Sequence, residues 1–190
     1  MMLGDLYLNE DLSKLALDSY AQGYRKHPPV AMSHAVRPLI YLVGKRCFEE
    51  AQSYFQLIQS DIQGSLGLEL QRQVNTALAR IEMRLGDPKK AYAILTASVE
   101  EDPLDGNSLM LLGEYHLENQ DYEESEYYFE RATALRSFEA DAYISLGRLQ
   151  VKQGKLKAAL IPLREAQKVE NTPNLQRYIE SIESALEPRR

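Results

Sequence analysis

The chain has 190 residues, 44% of them apolar, with only 10 glycines and 8 prolines, a composition that folds rather than staying disordered. Its net charge of −6 argues against nucleic acid as a partner, because holding phosphates takes clustered Lys and Arg. Cys47 is the single cysteine, which excludes an internal disulfide and a thiolate metal cluster, and fits a reducing cytoplasm without excluding a periplasm.

Taken in chain order, residues 1–30 present Leu3-Gly4, then Ala16 and Tyr20 four apart, then Gly23, and close on Pro28. Neither a basic segment followed by an apolar run nor a membrane-length stretch occurs there, so the chain reads as soluble, without membrane insertion or an address label. The same features return as Pro38-Leu39, Ala51, Phe55 and Ile58 in residues 31–71. Residues 72–105 carry Leu78-Ala79, Ala91, Leu95 and Ser98 and close on Pro103. Residues 106–139 carry Leu112-Gly113, Ser125, Phe129 and Ala132; residues 140–173 carry Leu146-Gly147, Ala159, Leu163 and Ala166. Successive copies are 35, 40, 34 and 34 residues apart.

A period near 34 with two amphipathic segments per unit, joined by turns such as Leu85-Gly86-Asp87 and Gln153-Gly154-Lys155, predicts stacked helical hairpins. Small residues let paired helices approach while the neighbouring Leu or ring fills the space beside them. Proline at 28 and 103 ends the second helix of its unit, and Pro38 and Pro162 fall inside predicted helices, where each removes a ladder hydrogen bond. The insertion LGLELQ at 66–71 either lengthens the next helix or loops outward. Tyr178, Ile182 and Leu186, at four-residue intervals, predict an amphipathic last helix.

These residues resemble the tetratricopeptide repeat (TPR) family. Tyr143, Leu146, Gly147, Gly154, Ala159, Leu163 and Ala166 stand where that family places its packing residues, and residues 72–105 and 106–139 match in the same way. The resemblance implies an all-α fold, a right-handed superhelical array of antiparallel helix hairpins with about eleven helices. Residues 1–30 form a truncated first repeat and 31–71 a degenerate one with the six-residue insertion. Full repeats follow at 72–105, 106–139 and 140–173, and 174–190 is a capping helix. An array that opens partway through a helix reads as a piece of a longer protein.

The stretch LLGEYHLENQDYEESEYYFERA, residues 111–132, is the richest in reactive groups. On a helix His116 faces Leu112, Gly113, Asn119 and Gln120, none of them a carboxylate, so it forms neither a metal pair nor a base with an orienting acid. Glu123, Glu124, Glu126 and Glu130 lack the spacing of a calcium loop and read as a solvated outer face, with docking of a basic partner as the alternative. His27 and His34 flank Pro28-Pro29 as a turn-located pair. Tyr20, Tyr128 and Tyr143 fall at packing positions without interleaved cations, against single-strand binding. With no phosphate loop, GxSxG or CxxC, no residue is assigned to catalysis, a metal or a cofactor.

The resemblance also implies that the first helix of each unit lines a concave groove for a protein or peptide partner. The residues placed there are Gln73, Thr76, Arg80, Met83 and Arg84, then Asn107, Met110, Glu114, Leu117 and Glu118, then Asp141, Ile144, Arg148, Val151 and Lys152. Arg80/Arg84, Glu114/Glu118 and Arg148/Lys152 alternate in sign, either pairing across helices or flanking an apolar floor of Met83, Met110, Leu117, Ile144 and Val151. The clamp of Lys, Asn and Arg that some members close on a C-terminal carboxylate is not matched by Thr76, Arg80, Leu111, Glu114, Asp141 and Ser145. The leading expectation is thus a non-catalytic adaptor. The alternatives are an assembly element that self-associates through its open N-terminal end, and a positioning domain for an enzyme outside this chain.

Overall fold

The computed structural model describes residues 3–27 and 32–187. Among them are eleven α-helices and no strand: α1 (Leu3–Asn9), α2 (Ser13–Lys26), α3 (Met32–Gly44), α4 (Phe48–Ile62), α5 (Leu68–Leu85), α6 (Pro88–Glu101), α7 (Gly106–Glu118), α8 (Tyr122–Thr133), α9 (Glu139–Lys152), α10 (Leu156–Val169) and α11 (Pro173–Leu186). The chain divides into two compact units, Met1–Ser98 and Val99–Arg190. Pro28 and Pro29 lie outside the described residues, whereas Pro103 follows the end of α6 as expected. The insertion lengthens a helix: α5 begins at Leu68 and runs for 18 residues.

The hairpin turns share one device. Asp11, Arg46, Gln120 and Gly154 adopt left-handed φ values of 57°, 62°, 65° and 74°. The amide of the next residue then reaches the carbonyl five positions back, as in Leu12 to Tyr7 (2.9 Å), Cys47 to Leu42 (3.0 Å), Asp121 to His116 (2.9 Å) and Lys155 to Gln150 (2.9 Å). This pattern satisfies the last carbonyls of the first helix and reverses the chain within three residues. The turn at Gly86 differs, because there Glu82 Oε2 accepts the Asp87 amide at 2.9 Å.

In the first unit, α1 pairs with α2 and α3 with α4, and α5 packs on α3 and α4. Its core joins Leu8, Ala16, Tyr20, Val36, Leu39, Leu42, Ile58, Val74 and Ile81. Two expectations change here. Tyr54, not Phe55, is the fully buried ring of α4, and its hydroxyl donates to the Ala35 carbonyl at 3.2 Å. The degenerate second repeat has thus slipped its large residue by one position. Gly23 is exposed and a Cβ there would meet nothing within 4 Å, so that glycine does not serve close helix approach.

Three tyrosines cluster in this unit. Tyr54 lies edge-on to Tyr20 and Tyr24, at centroid distances of 6.1 and 6.3 Å. Burial, then the hydrogen bond to Asp5, pushes the Tyr20 hydroxyl far above its ordinary value. Burial and the neighbouring Tyr24 do the same for Tyr54. Tyr24, buried in part and donating to Asp61, is pushed up to about 12 from 10.0. Unfolded tyrosines lose their protons near pH 10 while the folded ones keep theirs, so this stabilisation is intact below pH 10 and is lost as pH rises towards 12. Thermal melts are therefore expected to show the protein losing stability between pH 10 and 12, and Tyr24→Phe losing less over the same window.

In the second unit, α7 pairs with α8, α9 packs on α8 and α10, and α11 closes on α10. Two N-caps are built from side chains: Asp105 accepts from the Ser108 amide at 3.4 Å, and Thr172 accepts from the Leu175 amide at 3.2 Å with Pro173 as the first helical residue. Ser125 replaces the usual alanine without leaving a buried hydroxyl idle, because its Oγ donates to the Gly113 carbonyl at 2.8 Å. The apolar stripe of α11 is rotated from the one expected. Leu175, Ile179 and Ile182 are buried against Leu163 and Ala166, while Tyr178 and Leu186 pack only at the margin. A three- and four-residue alternation keeps the stripe on one face, which a strict four-residue step does not.

Candidate partner-binding face

The expected groove residues occupy two stretches of helix surface. In the first unit they all lie on α5, with Gln73, Thr76 and Met83 half-buried and Arg80 and Arg84 exposed. In the second unit they lie on α7 and α9, whose Leu109 and Ala142 share one buried cluster with Ala132 of α8. Met110 packs on that cluster and, with Leu117, on a second one made by Phe129, Leu146 and Leu149. Ile144 and Val151 pack beside the Leu163 and Ile179 cluster. All four of these apolar residues are half-buried, whereas Asn107, Glu114, Glu118, Asp141, Arg148 and Lys152 are exposed. The second unit therefore presents a face whose apolar residues are anchored from below and whose charged residues reach solvent.

One of the alternating charges engages backbone. Lys152 donates to the carbonyl of Leu117, near the C-terminus of α7, at 3.0 Å. A cation there complements the partial negative charge of the helix end.

His116 is placed differently from expectation. It is 8% exposed, stacks on Tyr128 with ring centroids 5.5 Å apart and 14° between planes, and meets Tyr115 edge-on at 5.3 Å. Its Nδ1 lies 3.5 Å from Asp121 Oδ2, so a carboxylate does face it. The reading along the helix missed Asp121 because the left-handed Gln120 folds the turn back over the ring. One stacked ring, one edge-on ring and one carboxylate hold the imidazole as a packing element. Among the described residues no group of three or more His, Cys, Asp or Glu side chains is arranged to hold a metal ion.

The acidic run is also corrected in part. Glu123, Glu124 and Glu130 are exposed, but Glu126 is half-buried and accepts from Gln150 Nε2 of α9 at 3.4 Å, so it belongs to the helix packing and not to the outer face. Asp121, Glu123, Glu124 and Glu126 share with Lys152 and Lys155 a polar cleft of about 940 Å³. His27 and His34 are both exposed, and both line a cleft of about 410 Å³ together with Tyr20, Tyr24 and Tyr54. No signal in the sequence grouped those three rings, which come from α2 and α4. Burial, with Glu50 and Asp11 beside it, pushes the Cys47 thiol up. No helix among the described residues is long and apolar enough to cross a membrane.

The family model for the tetratricopeptide repeat matches residues 76–140 and 125–175, together 100 of the 190 residues. Solved structures similar in fold include three chains. YrrB, described as a TPR protein with an unusual peptide-binding site, aligns over 94% of this chain and 88% of its own, at 18% identity and a TM-score of 0.60. TTC0263, a thermophilic TPR protein of Thermus thermophilus, aligns over 96% of both chains at 15% identity and a TM-score of 0.65. MamA AMB-1 aligns over 80% of this chain and 87% of its own, at 14% identity and a TM-score of 0.55. None of the curated proteins matches the sequence.

Proposed function

The chain belongs to the tetratricopeptide repeat family, and from that premise we propose that it is a non-catalytic scaffold that holds a segment of a protein partner on the α7–α9 face. What carries the reading is the division of that face: half-buried Met110, Leu117, Ile144 and Val151 offer apolar contact, while exposed Glu114 and Glu118 on α7 and Arg148 and Lys152 on α9 flank it with opposite charge. An apolar floor supplies affinity and the flanking charges fix register and orientation. The segment that fits is amphipathic, with a basic part over α7 and an acidic part over α9. YrrB has a peptide-binding site on a related fold, which makes a short peptide the natural first probe.

Peptides selected from a displayed library on the full chain test this directly. Reversing Glu114 and Glu118 to Lys is expected to weaken the selected peptide at least tenfold by fluorescence anisotropy while leaving the helical circular dichroism unchanged. Reversing exposed Glu123 and Glu124 on α8 should leave affinity within twofold. Loss through the α8 pair with indifference at α7 would move the site to the outer face. Unfolding of the α7 variant would assign those carboxylates to holding the helices together.

A further inference from the structure

One junction between neighbouring hairpins is open where the corresponding positions elsewhere are closed. In the repeat register Gly23 of α2 matches Ile58, Ser98, Ala132 and Ala166, and His34 of α3 matches Val74, Ser108 and Ala142. The match joins one hairpin to the next: Ile58 and Val74 share one buried cluster, and Ala132 and Ala142 share another. All the matching residues are at most 5% exposed. Gly23 and His34 are exposed instead, and a Cβ at Gly23 would meet nothing within 4 Å. Like α4, α3 is out of register by one position, and it turns the fully buried Ala35 to the core in place of His34.

The gap left at that junction is the cleft of about 410 Å³ that Gly23 and His34 both line. Pockets that hold small molecules run from roughly 300 to 1,000 Å³, so the space is large enough for a ligand of one or two rings. Its walls come from α2, α3 and α4, with Leu3 added from α1.

Two kinds of group line it. The first is ring carbon, from Tyr20, Tyr24 and Tyr54, with Pro38 beside them. The three hydroxyls donate to Asp5, to Asp61 and to the Ala35 carbonyl, so what the rings present to the cleft is apolar surface. The second is nitrogen, from the exposed side chains of Lys26, His27 and His34. Among the described residues that line the cleft none is Asp or Glu. Aromatic walls accept another ring edge-on or stacked, and an amine beside two imidazoles offers charge-assisted hydrogen bonds to an anion. A cation is also attracted by aromatic faces, but here it would meet Lys26.

We propose that the α2–α3 junction is a binding site for a small organic anion, one that lays an aromatic ring system against Tyr20, Tyr24 and Tyr54 and directs its anionic group to Lys26, His27 and His34. This site uses neither α7 nor α9, so it stands or falls independently of the partner-binding reading.

Fluorescence titration of the full chain with anilinonaphthalenesulfonate is the test, because that probe joins an aromatic body to one anionic group, and phenylnaphthylamine supplies the same body without the sulfonate. The anionic probe is expected to saturate one site per chain at micromolar concentration and to bind at least fivefold tighter than the neutral one. Gly23→Leu is expected to weaken both probes at least tenfold without lowering the melting temperature, since the new side chain enters open space and leucine favours a helix more than glycine does. Lys26→Glu with His34→Glu should weaken the anionic probe at least tenfold and leave the neutral one within twofold. Absence of saturable binding by the anionic probe overturns the proposal. Binding indifferent to Gly23→Leu overturns it too, because the probe then sits elsewhere. Equal affinity for the two probes, or indifference to the charge reversal, overturns the anionic class of ligand.

Discussion

Replacing Gly113 with alanine is expected to cost the second unit about 1–3 kcal/mol, the range for overpacking a close-packed core. A Cβ built at Gly113 would run into the ring of Phe129, which is fully buried on α8 and already packed on Leu146 and Leu149. The ring cannot swing outward without uncovering those leucines. Gly4 stands in the same relation to Tyr20 and Gly147 to Leu163, each pair 16 residues apart. The third repeat solves the same problem with Ala79 and Leu95, both fully buried at the corresponding positions. Phe129→Leu should therefore rescue Gly113→Ala: alone it leaves a gap costing about 1 kcal/mol or more, but the double variant should lie well above the sum of the two losses in a double-mutant cycle. Gly113→Leu has no such rescue. Urea denaturation followed by circular dichroism reads all of these, and additive losses would mean that the glycine and the ring do not share one space.

That pair is readable in the sequence because it is enforced at fixed spacing by sterics. A helix hairpin cannot close unless something small faces something large, and the constraint recurs every 34 or so residues, so it leaves a periodic imprint. Where the packing differs, the imprint fails. The exchange of Phe55 for Tyr54 is hidden because what selects Tyr54 is a set of partners distant in sequence, the Tyr20 and Tyr24 rings of α2 and the Ala35 carbonyl of α3. Turn chemistry is half hidden for another reason: only Gly154 of the four left-handed turn residues is a glycine, and Asp11, Arg46 and Gln120 carry no comparable signal. On the candidate face, residue types and helical register were legible, but not that Lys152 would direct its donor to the Leu117 carbonyl. Least visible are polar contacts between distant positions, because a hydrogen bond across 15 or 32 residues has no period at all.

The contact of that kind with the largest expected effect is at Asp5. Its carboxylate, 3% exposed on α1, accepts from the Tyr20 hydroxyl of α2 at 2.7 Å and from Arg37 Nη2 of α3 at 2.9 Å, tying three helices to one point. Arg37 is 54% exposed, so solvent screens its share, and the greater part of the loss on truncation comes from the Tyr20 hydroxyl, left buried without its acceptor. Asp5→Ala is expected to destabilise the first unit by about 3 kcal/mol. Asp5→Asn keeps an oxygen for Tyr20 and should cost less than half as much. Tyr20→Phe removes the group that needs the acceptor, so Asp5→Ala should be markedly milder in that background. If Asp5→Ala instead costs the same with phenylalanine at position 20, the hydroxyl is not what the carboxylate serves, and the Arg37 pair would have to carry the effect.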